Sequence, residues 1–140
     1  MPSFFEFDPV NGILRGRIEG PVTDQSIKEF YGRAGQYVAR VHPRGGLMDF
    51  SGVTSFDVSS ETIRQLAHQA PALPDPALPR VVIAPSGLTY GLLRMFQAVG
   101  GSTRPNLQVV RTQEEAYELL GLQAPRFEPL EEEAADEPAG

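Results

Sequence analysis

The chain of 140 residues is long enough for one domain whose hydrophobic core is stable without disulfides or a structural metal. It has no cysteine, which excludes disulfides, thiolate metal sites and a cysteine nucleophile. Of the formal net charge of −6, residues 125–140 carry −5, with six acids against one base, so residues 1–124 carry only −1. This nearly neutral body argues against nucleic-acid binding, which needs a basic face.

The sequence also lacks the features of a membrane or exported protein. No apolar run approaches the ~20 residues of a membrane span. The first residues, MPSFFEFDP, have neither the basic start nor the long apolar run of a signal peptide. We therefore expect a cytoplasmic protein of bacterial type with no membrane contact.

The first half of the sequence predicts a hairpin, a helix and a short strand. Phe5 and Phe7 alternate with acids, Asn11-Gly12 supplies a tight turn, and residues 13–19 run back as the second strand. Thr23 or Asp24 can cap a helix that reaches residue 41, because apolar residues recur there at three- and four-residue steps. Residues 46–50 predict a third strand. The hydroxyl-rich segment that follows predicts a turn region before a helix that starts near Ser59.

The second half alternates helices and strands. An apolar face over residues 63–70 marks the second helix, and four prolines within residues 71–79 predict a stiff surface loop. Residues 80–84 form a nearly all-apolar strand, a third helix runs to Gly100-Gly101, and residues 107–110 form the last strand. Thr112 and Glu115 form a capping box for the last helix, which ends at Gly121.

The element order is therefore β-β-α-β-α-β-α-β-α, and it predicts an α/β domain over residues 1–124. We expect a mostly parallel five-stranded sheet with an antiparallel N-terminal hairpin strand and four helices on its two faces. Residues 125–140 are acidic and rich in proline, which predicts a disordered tail.

Catalytic motifs are absent from the sequence. It contains no G-x-S-x-G elbow, no G-x-x-x-x-G-K-[ST] loop and no G-x-G-x-x-G fingerprint. Asp49 and Asp57 flank the turn region and could converge for acid–base work, but we favour the reading that each binds backbone amides of the turn. We therefore expect a protein that is not an enzyme and uses no cofactor or metal.

One segment, DFSGVTSFDVSS, resembles the signature of STAS domains, the fold of sulfate transporters and anti-sigma-factor antagonists. In that family a strand ends in Asp-Leu-Ser-x-Val, and Asp-Ser-Ser/Thr-Gly follows at the start of a helix. Asp49, Ser51 and Val53 match the first part, and Asp57 and Ser59 match the second. The segments RVVIAPSGLTYGLLRMFQAVGG and NLQVVRTQEEAYELLG resemble later elements of the same fold, so the resemblance covers roughly residues 4–122.

The resemblance implies a regulatory protein-interaction module whose partner is an anti-sigma factor of the kinase type. It makes Ser59 the phosphorylation candidate. The expected docking residues surround it and are Asp49, Ser51, Asp57, Ser60, Glu61 and Arg64. Val58 replaces a small polar residue of the pattern and Ser60 replaces its glycine. A module that keeps the fold and has lost the switch therefore stays open as an alternative.

A second hypothesis is that the protein carries a small apolar ligand or a lipid, because the STAS domains that it resembles are related in topology to lipid-carrying folds. Five aromatic residues could line a pocket or simply fill the core, and they are Phe30, Tyr31, Tyr37, Tyr90 and Phe96. A homodimer is compatible with both hypotheses.

Overall fold

Six strands form one mixed sheet in the computed structural model, which describes residues 3–130. The strands are β1 (Ser3–Asp8), β2 (Ile13–Thr23), β3 (Gly45–Asp57), β4 (Arg80–Ile83), β5 (Leu107–Val110) and β6 (Glu128–Pro129). Their spatial order is β5-β4-β3-β2-β1-β6. β1 pairs antiparallel with β2 and β6, and the other neighbours pair in parallel.

The predicted element order is confirmed from the hairpin to the fourth helix. The helices are α1 (Asp24–Val41), α2 (Ser60–His68), α3 (Gly87–Val99) and α4 (Gln113–Leu120). Each begins after a hydroxyl side chain that accepts from the amide three residues on, in the order Thr23, Ser59, Ser86 and Thr112. Such caps satisfy amides that have no partner inside the helix.

The two faces of the sheet are covered unequally. The larger core lies between one face and helices α1, α2 and α3, and includes Phe5, Leu14, Phe30, Phe50 and Leu66. The smaller core lies under α4 on the other face and is built around Leu47, Ile83 and Ala116. Successive side chains of β3 point to opposite faces of the sheet and therefore pack in different cores.

The prediction of a short third strand followed by a turn region is wrong, because β3 continues to Asp57. Its pairing with β4 ends at Asp49, but its parallel pairing with β2 continues to the Thr23–Asp57 pair. Residues 19–23 and 52–57 thus form a two-stranded ribbon that projects beyond the sheet. Val22 and Phe56 anchor this ribbon, because they are paired and both are buried in the larger core.

The predicted disordered tail from residue 125 is wrong for residues 125–130, and residues 131–140 lie outside the described residues. β6 adds a short sixth strand beside β1, and the Leu130 amide donates to the Phe5 carbonyl oxygen at 2.8 Å. The ring of Phe127 lies 4.0 Å from the Arg15 guanidinium carbon and also packs near Tyr117. This cation–π contact holds a segment whose sequence alone is too polar to fold.

Candidate functional site

The ribbon of β2 and β3 ends where two helices begin. Thr23 leads directly into α1, while Asp57 leads through Val58 and Ser59 into α2. The two helix N-termini therefore lie side by side at the end of the ribbon. We call this surface the helix-start tip, and it consists of Thr23, Asp24, Asp57, Ser59, Ser60, Glu61 and Arg64.

Ser59 is exposed and makes several hydrogen bonds at this tip. Its Oγ accepts from the Thr62 amide at 3.1 Å and so caps α2. The hydroxyl also lies 3.2 Å from Oδ2 of Asp24, and the Ser59 amide donates to Oδ1 of the same carboxylate at 2.8 Å. One residue thus caps its own helix and ties it to the first turn of α1.

Asp24 lies at the tip, although the sequence motif did not assign it to the site. It was considered only as a cap for α1, a role that Thr23 fills. The amide of Ser59 is the main reason that the pKa of the Asp24 carboxyl lies below its usual value. No local signal marks this contact, because the two residues are 35 positions apart.

The structure divides the predicted docking residues into two places. Asp57, Ser60, Glu61 and Arg64 are all exposed around Ser59 at the helix-start tip. Asp49 and Ser51 lie at the other end of the ribbon, where Oδ1 of Asp49 accepts from the Ser51 amide at 2.8 Å. Asp57 lies eight positions after Asp49 along the extended strand β3, a span of up to roughly 26 Å, so the two carboxylates do not converge for acid–base work.

Val58 is buried, with only 6% of its surface exposed, and it packs in the larger core. The structure therefore separates two neighbouring positions of the STAS-like motif. One is an apolar anchor and the next, Ser59, faces solvent at the helix cap.

A second feature is an apolar pocket of about 120 Å³ between the sheet and helices α1, α2 and α3. Three of the five aromatics that the sequence suggested for a pocket line it, namely Phe30, Tyr31 and Phe96, whereas Tyr37 and Tyr90 do not.

Two buried arginines, Arg80 and Arg104, also line this pocket. Arg104 donates to the carbonyl oxygens of Leu66, Ala67 and Gln69 at the end of α2, and Arg80 donates to carbonyl oxygens in the proline-rich loop. Neither arginine forms an ion pair with a carboxylate among residues 3–130. Burial and the neighbouring Arg104 charge lower the pKa of Arg80.

Among the solved structures to which the chain is similar, two are of SpoIIAA. One is the Bacillus cell-fate determinant SpoIIAA in its phosphorylated form, with 15% identity and a TM-score of 0.50 over 82% of this chain and 96% of that chain. The other is the anti-sigma-factor antagonist SpoIIAA in its unphosphorylated form, with 12% identity and a TM-score of 0.54 over 86% of this chain and 98% of that chain. At these identities the likeness shows the fold, and it confirms the expected STAS-like architecture.

Two other comparisons gave no match. No protein-family model and no curated protein matches the sequence. Across residues 3–130, no helix combines the length and the apolar composition that crossing a bilayer demands.

Proposed function

We propose that this chain is a non-catalytic regulatory module that binds a partner protein through the helix-start tip. The observation that carries the proposal is the exposed Ser59 cap, which stands where the STAS-like motif ends and where two helices begin. The fold it shares with the anti-sigma-factor antagonist SpoIIAA supports a partner of the anti-sigma-factor and kinase type.

The exposed side chains of the tip are suited to recognition. Within a few residues the tip offers hydroxyls, carboxylates and one guanidinium, that of Arg64. Arg64 makes no ion pair with a described carboxylate, so it is open to an acidic group on a partner or to a phosphate at the tip.

We further propose that phosphorylation of Ser59 controls this interaction. A phosphoserine carries a charge of about −1.5 to −2 at neutral pH and has no hydroxyl hydrogen to donate. It would repel the Asp24 carboxylate, which now lies 3.2 Å from the Ser59 hydroxyl, and so break the hydroxyl bond that helps to link α1 to α2. The start of α2 tolerates the added charge because the helix dipole favours anions there. The fold would persist while the docking surface changes.

The substitution Ser59→Asp tests this switch, because aspartate is as good a helix cap as serine but brings a charge against Asp24. We expect it to lower the recovery of the partner from cells of the source organism by at least about tenfold, equivalent to ~1.4 kcal/mol. Affinity capture followed by quantitative mass spectrometry measures this recovery, and phosphopeptide mapping of the same wild-type sample checks Ser59 directly.

Gln113→Asp is the matched control, since Gln113 is exposed at the first helical position of α4, away from the helix-start tip, where an acid is also favourable. Its partner recovery should stay within about twofold of wild type, a change of less than ~0.5 kcal/mol. Equal recovery with Ser59→Asp and wild type would contradict the switch.

A further inference from the structure

We propose that the pocket between the sheet and helices α1, α2 and α3 binds a small, uncharged apolar molecule about the size of one aromatic ring. This inference does not rest on the proposed regulatory function, because the pocket and the helix-start tip are built from different residues.

The size of the pocket sets the scale of the ligand. Its volume is about 120 Å³. An apolar cavity of about 150 Å³ in another protein stays dry and accepts benzene. A single ring or a short hydrocarbon chain therefore fits.

The hydrogen bonding of the walls sets the polarity of the ligand. The hydroxyl of Tyr31 donates to the Ala70 carbonyl oxygen and accepts from Arg104. The guanidinium groups of Arg80 and Arg104 are directed at backbone carbonyl oxygens. Among the described residues, no buried side-chain nitrogen or oxygen lacks a partner. A polar ligand would thus lose its hydrogen bonds to water without gaining new ones, at a cost that an apolar ligand avoids.

The charge of the walls excludes one class of ligand. Arg80 and Arg104 are both buried and neither forms an ion pair with a described carboxylate. A cationic ligand would therefore meet two positive charges in a poorly solvated site, where repulsion is strong. Aromatic amines should be rejected even when their shape fits.

The pocket contains free space next to Gly46, and a side chain at this position would occupy part of it. This residue lies on β3 and lines the pocket, and a Cβ added there would meet only the Leu73 Cδ2 atom, at 3.9 Å. That is an ordinary contact distance, so a larger residue fits without moving the backbone. Valine at this position suits a strand and would project its methyl groups into the pocket.

Fluorobenzene is the probe for the test, observed by fluorine NMR with the full chain. We expect saturable binding to the wild-type chain and at least a tenfold loss of affinity for Gly46→Val. Gly46→Ala adds one methyl group and should bind with intermediate affinity, which keeps the test decisive if the valine variant folds poorly. Benzylamine, tested by competition, should not displace the probe.

Gly32→Ala is the matched control, because a Cβ on this exposed residue of α1 meets nothing within 4 Å. Its affinity for fluorobenzene should equal that of wild type. No saturable binding to wild type, or equal binding to wild type and Gly46→Val, would overturn the proposal. Displacement by benzylamine would overturn the argument from Arg80 and Arg104. None of these outcomes bears on partner binding at the helix-start tip.

Discussion

Replacing Arg104 by methionine should lower the free energy of unfolding by about 2–4 kcal/mol, because a buried acceptor that loses its donor costs about 1–3 kcal/mol. Arg104 is buried, with 4% of its surface exposed, and it donates to three carbonyl oxygens at the end of α2. The last carbonyls of a helix have no partner inside the helix. Methionine would fill much of the space but remove the donor of the buried Ala67 oxygen, while the Leu66 oxygen would keep only its bond from the Gln69 amide. Urea unfolding followed by circular dichroism measures the change.

Arg94→Met is the control for this prediction, because Arg94 is exposed on α3 and should cost less than about 0.5 kcal/mol. Gly100→Ala tests the same contact from the other side. A Cβ there would meet the Arg104 Nη1 atom at 2.8 Å and the Ala67 carbonyl oxygen at 3.2 Å, so we expect it to destabilise as well. A loss under about 1 kcal/mol for Arg104→Met would show that water replaces the guanidinium at these carbonyls.

Replacing Asp8 by alanine should cost about 2–4 kcal/mol, because several hydrogen bonds at a buried site disappear together. Asp8 has no exposed surface and its carboxylate accepts from the amides of Val10, Asn11 and Arg126. It also accepts from the Asn11 side chain at 2.7 Å. The carboxylate thus closes the β1–β2 turn and holds the C-terminal segment that leads to β6. Asp75→Ala is the control, since this exposed aspartate accepts from a single amide, that of Ala77.

The Asp8 carboxylate should also make the free energy of unfolding depend on pH. Burial raises the pKa of Asp8, but the hydrogen bonds from Asn11, Val10 and Arg126 outweigh it and leave the pKa below its usual value. A carboxyl with a lowered folded-state pKa stabilises the fold fully above its unfolded value of ~3.9, and this contribution is lost as the pH falls through the lowered pKa. The difference in unfolding free energy between wild type and Asp8→Asn should therefore shrink on acidification below about pH 4. A constant difference across this range would contradict the assignment.

The helices were predictable because their signals are local. The apolar spacing in α1 and α2 and the caps at Thr23, Ser59 and Thr112 all lie within a few residues of the features they define. The predicted capping box at Thr112 differs in one detail. The Glu115 side chain contacts the Thr112 hydroxyl, while the Thr112 Oγ accepts from the Glu115 amide as expected.

The ribbon and the last strand were not predictable in the same way. Residues 51–57 are mostly exposed, so they lack the apolar alternation that marks a strand, and their pairing is with β2 rather than with a neighbour in sequence. β6 has only two residues, one of them a proline, and it depends on contacts of Phe127 that link distant parts of the chain. Such long-range contacts override what the local sequence favours.

The candidate site was predicted in part. Ser59 was placed at a helix start by its sequence motif, and its exposed neighbours at the tip follow from helical spacing. Asp24 was missed because its partner is distant in sequence, and Arg104 in the pocket wall was missed because it directly follows the helix end at Gly100-Gly101. No sequence pattern distinguishes a buried arginine that binds carbonyl oxygens from an exposed one.

Site-directed photo-crosslinking in cells of the source organism tests the docking role of the helix-start tip most directly. A benzophenone amino acid at Ser60 would stand beside Ser59 without removing the cap, whereas the same group at exposed Glu118 on α4 lies on the opposite face of the sheet. The account predicts one discrete protein adduct from position 60 that is absent from position 118. No adduct from position 60, or the same adduct from both positions, would contradict it.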